Sequence, residues 1–259
     1  MGKRNTMLFS VKLIALATLL GATLTRPSVA VAKPSMIIDD GIIVVWRAAA
    51  KDRNSAIGRA VARCTDIAAR PNEFERDAYM GLDWAQYLQA CLVAWVATGD
   101  ERFAKTSVRF ATALIDDLQK VGDKLGGNEA ARRDSGFSIR ALGPNTALAY
   151  DWLYDHPLLT KELKARMRER LWAWVDWYRK SGYRARAPGN NYHAGYVAAA
   201  TLGYAAIERD LTAAEKAQWA FVRSEIWDTD MKAALAPGGV LEGGDWPEGW
   251  QYGPLAVAN

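Results

Sequence analysis

"LDWAQYLQACLVAWVATGDERFAKTSVRFATALIDDLQKV", residues 82–121, carries the pattern that decides the fold. Apolar residues recur three and four positions apart in both halves of this stretch, which is the spacing of one face of an α-helix. Gly99 and Asp100 interrupt the pattern, and almost nothing else separates the two halves. Helices joined so tightly pack against each other as an antiparallel pair. The stretch therefore predicts a helical hairpin.

The same spacing recurs along most of the remaining chain. It predicts further helices over 52–70, 144–156, 160–183, 190–210 and 212–235. Pro144 suits the first turn of its helix, and Thr160 suits an N-cap. No segment alternates like a half-buried strand, and the β-branched run at 36–46 is too isolated to imply a sheet. Successive hairpins without a fixed-period repeat predict an all-α fold, an incomplete (α/α) toroid built of antiparallel helix hairpins.

The N-terminus has the order of a secretory signal peptide. Basic residues precede the apolar run at 13–24, and small residues follow it up to Ala32. The run is about half the length needed to span a bilayer. We expect a signal peptide over 1–32, cleaved after Ala30 or Ala32, and a helical domain over 33–259. The location expected for the mature chain is periplasmic or secreted, with no membrane association after cleavage.

The net charge of the chain gives no indication of a polyanionic partner. The chain has a formal net charge of +4. Residues 1–32 hold four basic residues and no acidic one, so the signal accounts for the whole excess and the mature chain is neutral. We therefore expect no nucleic-acid partner.

The two cysteines and two histidines limit the metal and redox chemistry. Cys64 and Cys91 both fall on predicted helices. In an exported protein they could form a disulfide bond, or they could be two buried thiols. Two histidines exclude a histidine-rich metal site, and the chain has no nucleotide-binding loop. We expect no metal and no organic cofactor.

Three motifs are more specific than the helical pattern. They are "ALAYDWLYD" (147–155), "NNYHAGY" (190–196) and "GGDWPEGWQYGP" (243–254). Together with "ATGDERFAKTSVRFATALI" (97–115) they resemble the helical domain of heparinase II/III-like polysaccharide lyases, over roughly residues 38–259. The resemblance implies an enzyme that cleaves an acidic polysaccharide beside a uronic acid by β-elimination. It also implies an incomplete α/α toroid followed by a C-terminal domain of antiparallel β-sheet.

The resemblance also implies catalytic roles for particular residues. Asn191 or His193, after the first asparagine of the "NN" pair, would neutralise the sugar carboxylate, and Tyr252 would act as base, acid or both. A further histidine would come from the β-domain. This division suits the reaction, because donors that counter the carboxylate stabilise the carbanion formed when C5 loses its proton. A tyrosine within hydrogen-bond reach can then carry that proton.

Five further residues are candidates for binding the substrate. Arg140 suits bidentate contacts with a carboxylate or sulfate. Asn190, Trp246, Glu248 and Trp250 would shape the sugar subsite around the tyrosine.

Simpler structural interpretations remain open for the same positions. Asn190 or Asn191 also suits an N-cap. His193 could be a packing residue, and Tyr252 could lie in the core.

The absence of strands before Asn259 leaves the β-domain of such lyases unaccounted for. We expect a truncated toroid domain whose β-domain is supplied in cis or in trans, and which is inactive alone if that domain is missing. One alternative is an α/α-toroid glycoside hydrolase using paired carboxylates, such as Asp151, Asp245 or Glu248. Another is a non-catalytic, glycan-binding helical module.

Overall fold

The computed structural model describes residues 34–74, 82–116 and 129–244, together with Pro247. Within these residues the regular structure is helical and no strand occurs, so the predicted all-α class is confirmed for this part of the chain. The α-helices are α1 (Asp40–Ala49), α2 (Ala56–Ala69), α3 (Pro71–Phe74), α4 (Leu82–Thr98), α5 (Glu101–Asp116), α6 (Glu129–Arg132), α7 (Ile139–Trp152), α8 (Lys161–Ser181), α9 (Asn191–Ile207), α10 (Ala213–Trp219) and α11 (Lys232–Leu235). Every helix among them is too short or too polar to cross a bilayer.

Helices α4 and α5 form the predicted hairpin. Gly99 adopts a positive φ of 69° between them, and its N–H donates to the Trp95 carbonyl at 2.8 Å. A glycine takes this left-handed conformation without the steric cost that a Cβ would add. The facing surfaces are apolar, and the rings of Trp84 and Phe110 meet edge to face with centroids 5.1 Å apart. The hairpin is therefore closed by a glycine turn and held by aromatic packing.

A disulfide bond joins α2 to α4. It links Cys64 and Cys91, whose side chains are fully buried and whose Cα atoms are 4.9 Å apart. The sequence allowed either a disulfide bond or two buried thiols, and the structure contains the disulfide bond. Helix α4 also packs against α5 and α7, so the bond fastens α2 to a helix with several neighbours.

Helices α7 and α9 pack closely because small residues stand at their crossing. A Cβ added to Gly143 would lie 2.5 Å from the Cβ of Ala199, and one added to Gly195 would lie 2.5 Å from the Cβ of Arg140. No real Cβ tolerates such a distance without moving one of the helices. The close crossing holds Arg140 beside the first turn of α9, where its Nη2 donates to the Asn191 carbonyl at 3.3 Å.

The structure differs from the sequence prediction in two segments. Helix α7 begins at Ile139, so Pro144 lies inside it and not in its first turn. A proline there costs one backbone hydrogen bond. That cost is outweighed by tertiary packing, since most side chains of α7 are buried. The β-branched run at 36–46 continues into helix α1. Asp39 is the N-cap of this helix, and its carboxylate accepts from the Ile42 N–H at 2.8 Å.

The segment predicted as one helix over 212–235 is divided. Thr212 and Glu215 form a reciprocal capping box that opens α10. After α10 the chain forms a π-helical segment, Val222–Met231, before α11. Wide helical turns of this kind are rare and often lie near functional sites. This segment supplies two acidic side chains that pair with arginines below the candidate site.

Candidate functional site

A pocket of about 550 Å³ lies between the turn before α7 and the start of α9. The residues that line it are Asp134, Ser135, Phe137, Tyr183, Asn190, Asn191 and Tyr192. Two of them, Asn190 and Asn191, are candidates from the "NN" motif. The structure therefore brings this motif to the rim of a cavity large enough for a sugar ring.

The two asparagines have different positions at the rim. Asn190 is the N-cap of α9, and its side-chain oxygen accepts from the Tyr192 N–H at 3.0 Å. Asn191 is the first residue of the helix and is only 4% exposed. Arg140 reaches the Asn191 carbonyl from α7, and its guanidinium lies over the Phe137 ring, 4.4 Å from the ring centroid. Arg140, Asn190 and Asn191 are thus brought together.

Aromatic rings form the walls of the pocket. Tyr192 meets Phe137 edge to face with centroids 5.3 Å apart, and it meets Tyr183 in the same way at 5.2 Å. The Tyr192 hydroxyl donates to the Asp134 carboxylate at 3.2 Å. Flat rings beside hydrogen-bonding groups are the usual surroundings of a small polar ligand with apolar faces.

His193 lies beneath the pocket and is fully buried. Its Nδ1 is 3.2 Å from the Ala185 carbonyl, which can only accept, so Nδ1 carries the proton. Burial lowers the pKa of the imidazole to about 4, against the smaller opposing effect of the nearby Asp230 carboxylate. At neutral pH the ring is uncharged, and its Nε2 presents a lone pair that has no hydrogen-bond partner among the described residues.

Two buried tyrosines support the pocket from below. Tyr178 and Tyr196 stack with centroids 4.8 Å apart, and burial raises the pKa of both phenols. The Tyr178 hydroxyl donates to the Tyr183 carbonyl at 2.5 Å, which fixes the turn that carries one aromatic wall. The raised pKa keeps both phenols protonated at neutral pH.

Arg186, in the turn after α8, is paired within the protein. Arg186 Nη2 donates to Asp230 at 2.7 Å, and Glu225 lies 3.6 Å from its Nη1. Arg179 also donates to Glu225, through Nε at 3.0 Å. Both acids belong to the π-helical segment, so its wide turns serve to hold the arginines of α8 and the following turn.

The C-terminal motif approaches the "NN" motif at one described residue. A Cβ added to Gly189 would lie 2.7 Å from Cγ of Pro247, so the proline packs directly on the glycine before the Asn190 cap. The candidates Trp246, Glu248, Trp250 and Tyr252 lie outside the described residues. Among the described residues of their motif, Pro247 is the one that contacts the segment next to the pocket.

Asp151, a carboxylate considered for hydrolase chemistry, is committed to structural contacts. It is 1% exposed and accepts from the backbone N–H groups of Ser35 at 2.8 Å and Met36 at 3.0 Å. The Ser35 hydroxyl and Arg209 Nη2 donate to its other oxygen, the latter at 2.9 Å. Four donors leave this carboxylate no role as a glycosidase acid or base.

Sequence reasoning missed most of the pocket walls. Tyr192 directly follows the "NN" pair, so this motif was the one sequence signal that could have identified it as a wall residue. Asp134, Ser135, Phe137 and Tyr183 belong to two turns without a motif of their own. Among the described residues, no group of histidine, cysteine or acidic side chains could hold a metal ion.

Comparison with known proteins gives no relative. No protein-family model, curated protein or solved structure matches the chain.

Proposed function

We propose that the chain is the α/α-toroid part of a secreted polysaccharide lyase, which acts on an acidic polysaccharide beside a uronic acid. The observation that carries the proposal is the convergence of Arg140, Asn190 and Asn191 at an aromatic-walled pocket. The motif resemblance supplies the reaction class. Under this proposal the helix hairpins continue as an incomplete toroid, and a β-sheet domain in cis or in trans completes the cleft.

The chemistry of the elimination favours Asn191 over His193 as the group that neutralises the uronate carboxylate. During elimination the C5–H proton passes to a base, the C4–O bond breaks, a C4=C5 double bond forms, and the leaving oxygen is protonated. A group that counters the uronate carboxylate must donate a hydrogen bond or carry positive charge. The Asn191 amide is a donor at every pH, whereas neutral His193 presents a lone pair at Nε2. Asn191 is therefore our neutraliser, with His193 as its buried neighbour.

The proton carrier in this proposal is Tyr252, as the resemblance implies. The contact of Pro247 with Gly189 supports a position for the C-terminal motif close to the asparagines. Trp246, Glu248 and Trp250 would then line the sugar path.

The test is product formation from uronate polymers. The protein is incubated with alginate, heparosan, chondroitin and hyaluronan, and the ultraviolet absorbance of the conjugated double bond is followed. Binding of each polymer is measured in parallel by calorimetry, because a missing β-domain would remove turnover before it removes binding. Absence of both binding and unsaturated product for all four polymers would overturn the proposal.

Matched variants separate catalysis from helix capping. Asn190→Ser keeps an N-cap oxygen and is expected to retain the stability of the wild type. Asn191→Asp keeps the shape but adds a negative charge facing the uronate, so we expect at least about a hundredfold loss of kcat/KM. Equal activity in wild type and Asn191→Asp would remove Asn191 from the mechanism.

A further inference from the structure

A second cavity, of about 740 Å³, lies between α9 and the chain that runs from α10 into the π-helical segment. We call this cavity the α9–α10 groove. It shares no lining residue with the pocket at the "NN" motif. Three of its lining residues carry aromatic rings, Tyr204, Trp219 and Trp227, and the small side chains of Ala205 and Ala220 leave space beside the rings. A cavity of this size and lining suits a small molecule with apolar faces.

Trp227 is an exposed aromatic residue whose ring is held in one orientation. The residue is 42% exposed although it lines the groove. Its indole N–H donates to Thr201 Oγ1 at 3.0 Å, which joins the π-helical segment to α9. Because this hydrogen bond already orders the ring, a ligand that stacks on it does not have to immobilise a free side chain.

The inner wall of the groove is also aromatic. Trp219 is 2% exposed, and its ring stacks on the ring of Tyr204 with centroids 6.0 Å apart. The Tyr204 hydroxyl donates to Glu208 Oε1 at 3.1 Å. The wall therefore combines a flat apolar surface with hydrogen-bonding groups at its edge, as a sugar ring requires.

The wide turns of the π-helical segment form the outer wall of the groove. Their hydrogen bonds span five residues, whereas neighbours on an α-helix are three and four residues apart. Arg223 and Asp228 stand five apart, and Arg223 Nε lies 3.4 Å from Asp228 Oδ2. Both residues line the groove together with Trp227. The π-helical spacing thus brings an ion pair to the groove beside the exposed indole ring.

The charged residues of the lining balance one another. Lys216 Nζ lies 3.8 Å from Glu208 Oε1, and the other two charged lining residues are the Arg223–Asp228 pair. The described lining thus carries two positive and two negative charges, so it has no net charge that would select an anion or a cation. Hydroxyl groups both donate and accept hydrogen bonds, so they suit a rim made of both kinds of ion.

We propose that the α9–α10 groove binds an uncharged sugar ring, which stacks on Trp227 and hydrogen-bonds through its hydroxyl groups to the two ion pairs of the groove. In a polymer of mixed composition, the groove would hold an uncharged ring while a uronate occupies the pocket at Asn191. The inference rests on the proposed function in taking the ligand to be a saccharide.

Binding is tested on the whole protein with three uncharged oligosaccharides: cellotriose, chitotriose and mannotriose. The direct readout is the NMR resonance of the Trp227 indole N–H, identified as the indole peak that is missing in Trp227→Phe. Calorimetry gives the dissociation constants at low and at high sodium chloride concentration. Tyr183→Ala, which removes an exposed ring from the other pocket, is the matched control.

We expect at least one trisaccharide to shift the indole resonance, with an affinity that salt does not change, because the ligand carries no charge. Trp227→Ala should weaken this binding about tenfold, and Tyr183→Ala should leave it unchanged. Thr201→Val keeps the ring but removes the acceptor that orients it, so a smaller loss of about threefold is expected. Should Trp227→Ala unfold, Thr201→Val and Trp227→Phe, which keeps a smaller ring, decide the test in its place.

Three outcomes would overturn the inference. In the first, none of the trisaccharides shifts the resonance, or Trp227→Ala binds as tightly as the wild type. In the second, binding is lost in Tyr183→Ala alone, which would place the sugar in the pocket at the "NN" motif. In the third, sedimentation shows a dimer that becomes a monomer in Trp227→Ala, which would mean that a second copy of the chain covers the groove.

The outcomes also separate this inference from the lyase proposal. Unsaturated product from a polymer, without trisaccharide binding at Trp227, keeps the lyase and removes the sugar site in the groove. Trisaccharide binding at Trp227, without binding or product on any uronate polymer, keeps the sugar site and removes the lyase.

Discussion

At the scale of the residue, His193 is a buried base whose titration should be visible in the stability of the protein. Its pKa falls from 6.5 to about 4 on burial. Above pH 6.5 the ring is neutral in both states, so its ionisation does not change the free energy of unfolding. As the pH falls from 6.5 towards 4, the unfolded chain binds a proton that the folded chain excludes, so the free energy of unfolding decreases. The loss reaches about 3 kcal/mol below pH 4.

The measurement is urea denaturation between pH 4 and pH 7.5, for wild type and His193→Gln. Glutamine does not titrate, so its curve keeps the contributions of the carboxylates and lacks that of His193. The difference between the two curves should grow as the pH falls through this window. Parallel curves would mean that His193 is protonated in the folded protein or exposed to water.

Residue roles could be predicted from the sequence only where the partner is local. The cap at Asn190 follows from its place before an apolar helical run, and the structure has that hydrogen bond. The contact of Asp134 with Tyr192 spans 58 positions and depends on three successive left-handed residues. Neither residue type nor spacing announces such a turn. A pocket wall made in this way is visible only once the chain has folded.

At the scale of the element, the α7–α9 crossing offers a test within one helix. A Cβ added to Gly195 would lie 2.5 Å from the Cβ of Arg140, which is too close. A Cβ added to Gly203 would have its nearest neighbour, an atom of the Trp219 ring, at 3.7 Å. We expect Gly195→Ala to lower the free energy of unfolding by about 1–3 kcal/mol through overpacking. Gly203→Ala has room for its methyl group and should be neutral or stabilising by up to about 1 kcal/mol.

Thermal and urea unfolding of both variants measure the difference. Gly195→Ala should also weaken saccharide binding, because it moves Arg140 away from Asn191. Equal stability of the two alanine variants would show that α7 and α9 are not in close contact at Gly195.

The bond between α2 and α4 gives a second prediction for an element. The Cys64–Cys91 bridge closes a loop of 27 positions. Reducing it frees the unfolded chain and should cost about 3–4 kcal/mol of stability. The measurement is urea denaturation with and without dithiothreitol. The double variant Cys64→Ala/Cys91→Ala should be as unstable as the reduced protein and indifferent to the reductant; a shift in that variant would point to another cause.

Helices were predictable where apolar periodicity agreed with a signal for the start or the end of a helix. The hairpin around Gly99 and the cap at Thr160 have both properties, and both are found. The start of α7 was not predictable from the sequence. Pro144 indicates the first turn of a helix, but tertiary burial lets the helix begin earlier, at Ile139. The helix α1 was hidden by β-branched residues, although Asp39 in front of it is a good N-cap.

At the scale of the whole molecule, the first described residues of the chain are hydrogen-bonded to the end of α7. Asp151 accepts from Ser35 and Met36, which stand 116 and 115 positions away. Trp152 donates through Nε1 to the Met36 carbonyl at 3.4 Å, and its ring meets Trp46 edge to face. One buried carboxylate thus fastens the entry of the chain to a central helix.

Removing that charge should loosen the entry segment and weaken the fold. In Asp151→Asn the amide offers one acceptor oxygen, turns an NH₂ group towards donors, and loses the ion pair with Arg209. Unsatisfied buried donors and a broken pair together predict a loss of about 2–4 kcal/mol in the free energy of unfolding. The exposed neighbour Asp155 is the control, and Asp155→Asn should change stability by less than about 0.5 kcal/mol.

Hydrogen exchange identifies the cause of that loss. Among the described residues, the amides of Ser35 and Met36 donate to Asp151. They should therefore exchange much faster in Asp151→Asn, while the amides of α4 stay protected under native conditions. A stable variant with slow exchange at both amides would mean that the carboxylate is not their acceptor. Because Asp151 has no lone pair to spare, the same variant also tests the hydrolase alternative. A glycosidase acid at this position would lose turnover while the exchange at Ser35 and Met36 stayed unchanged.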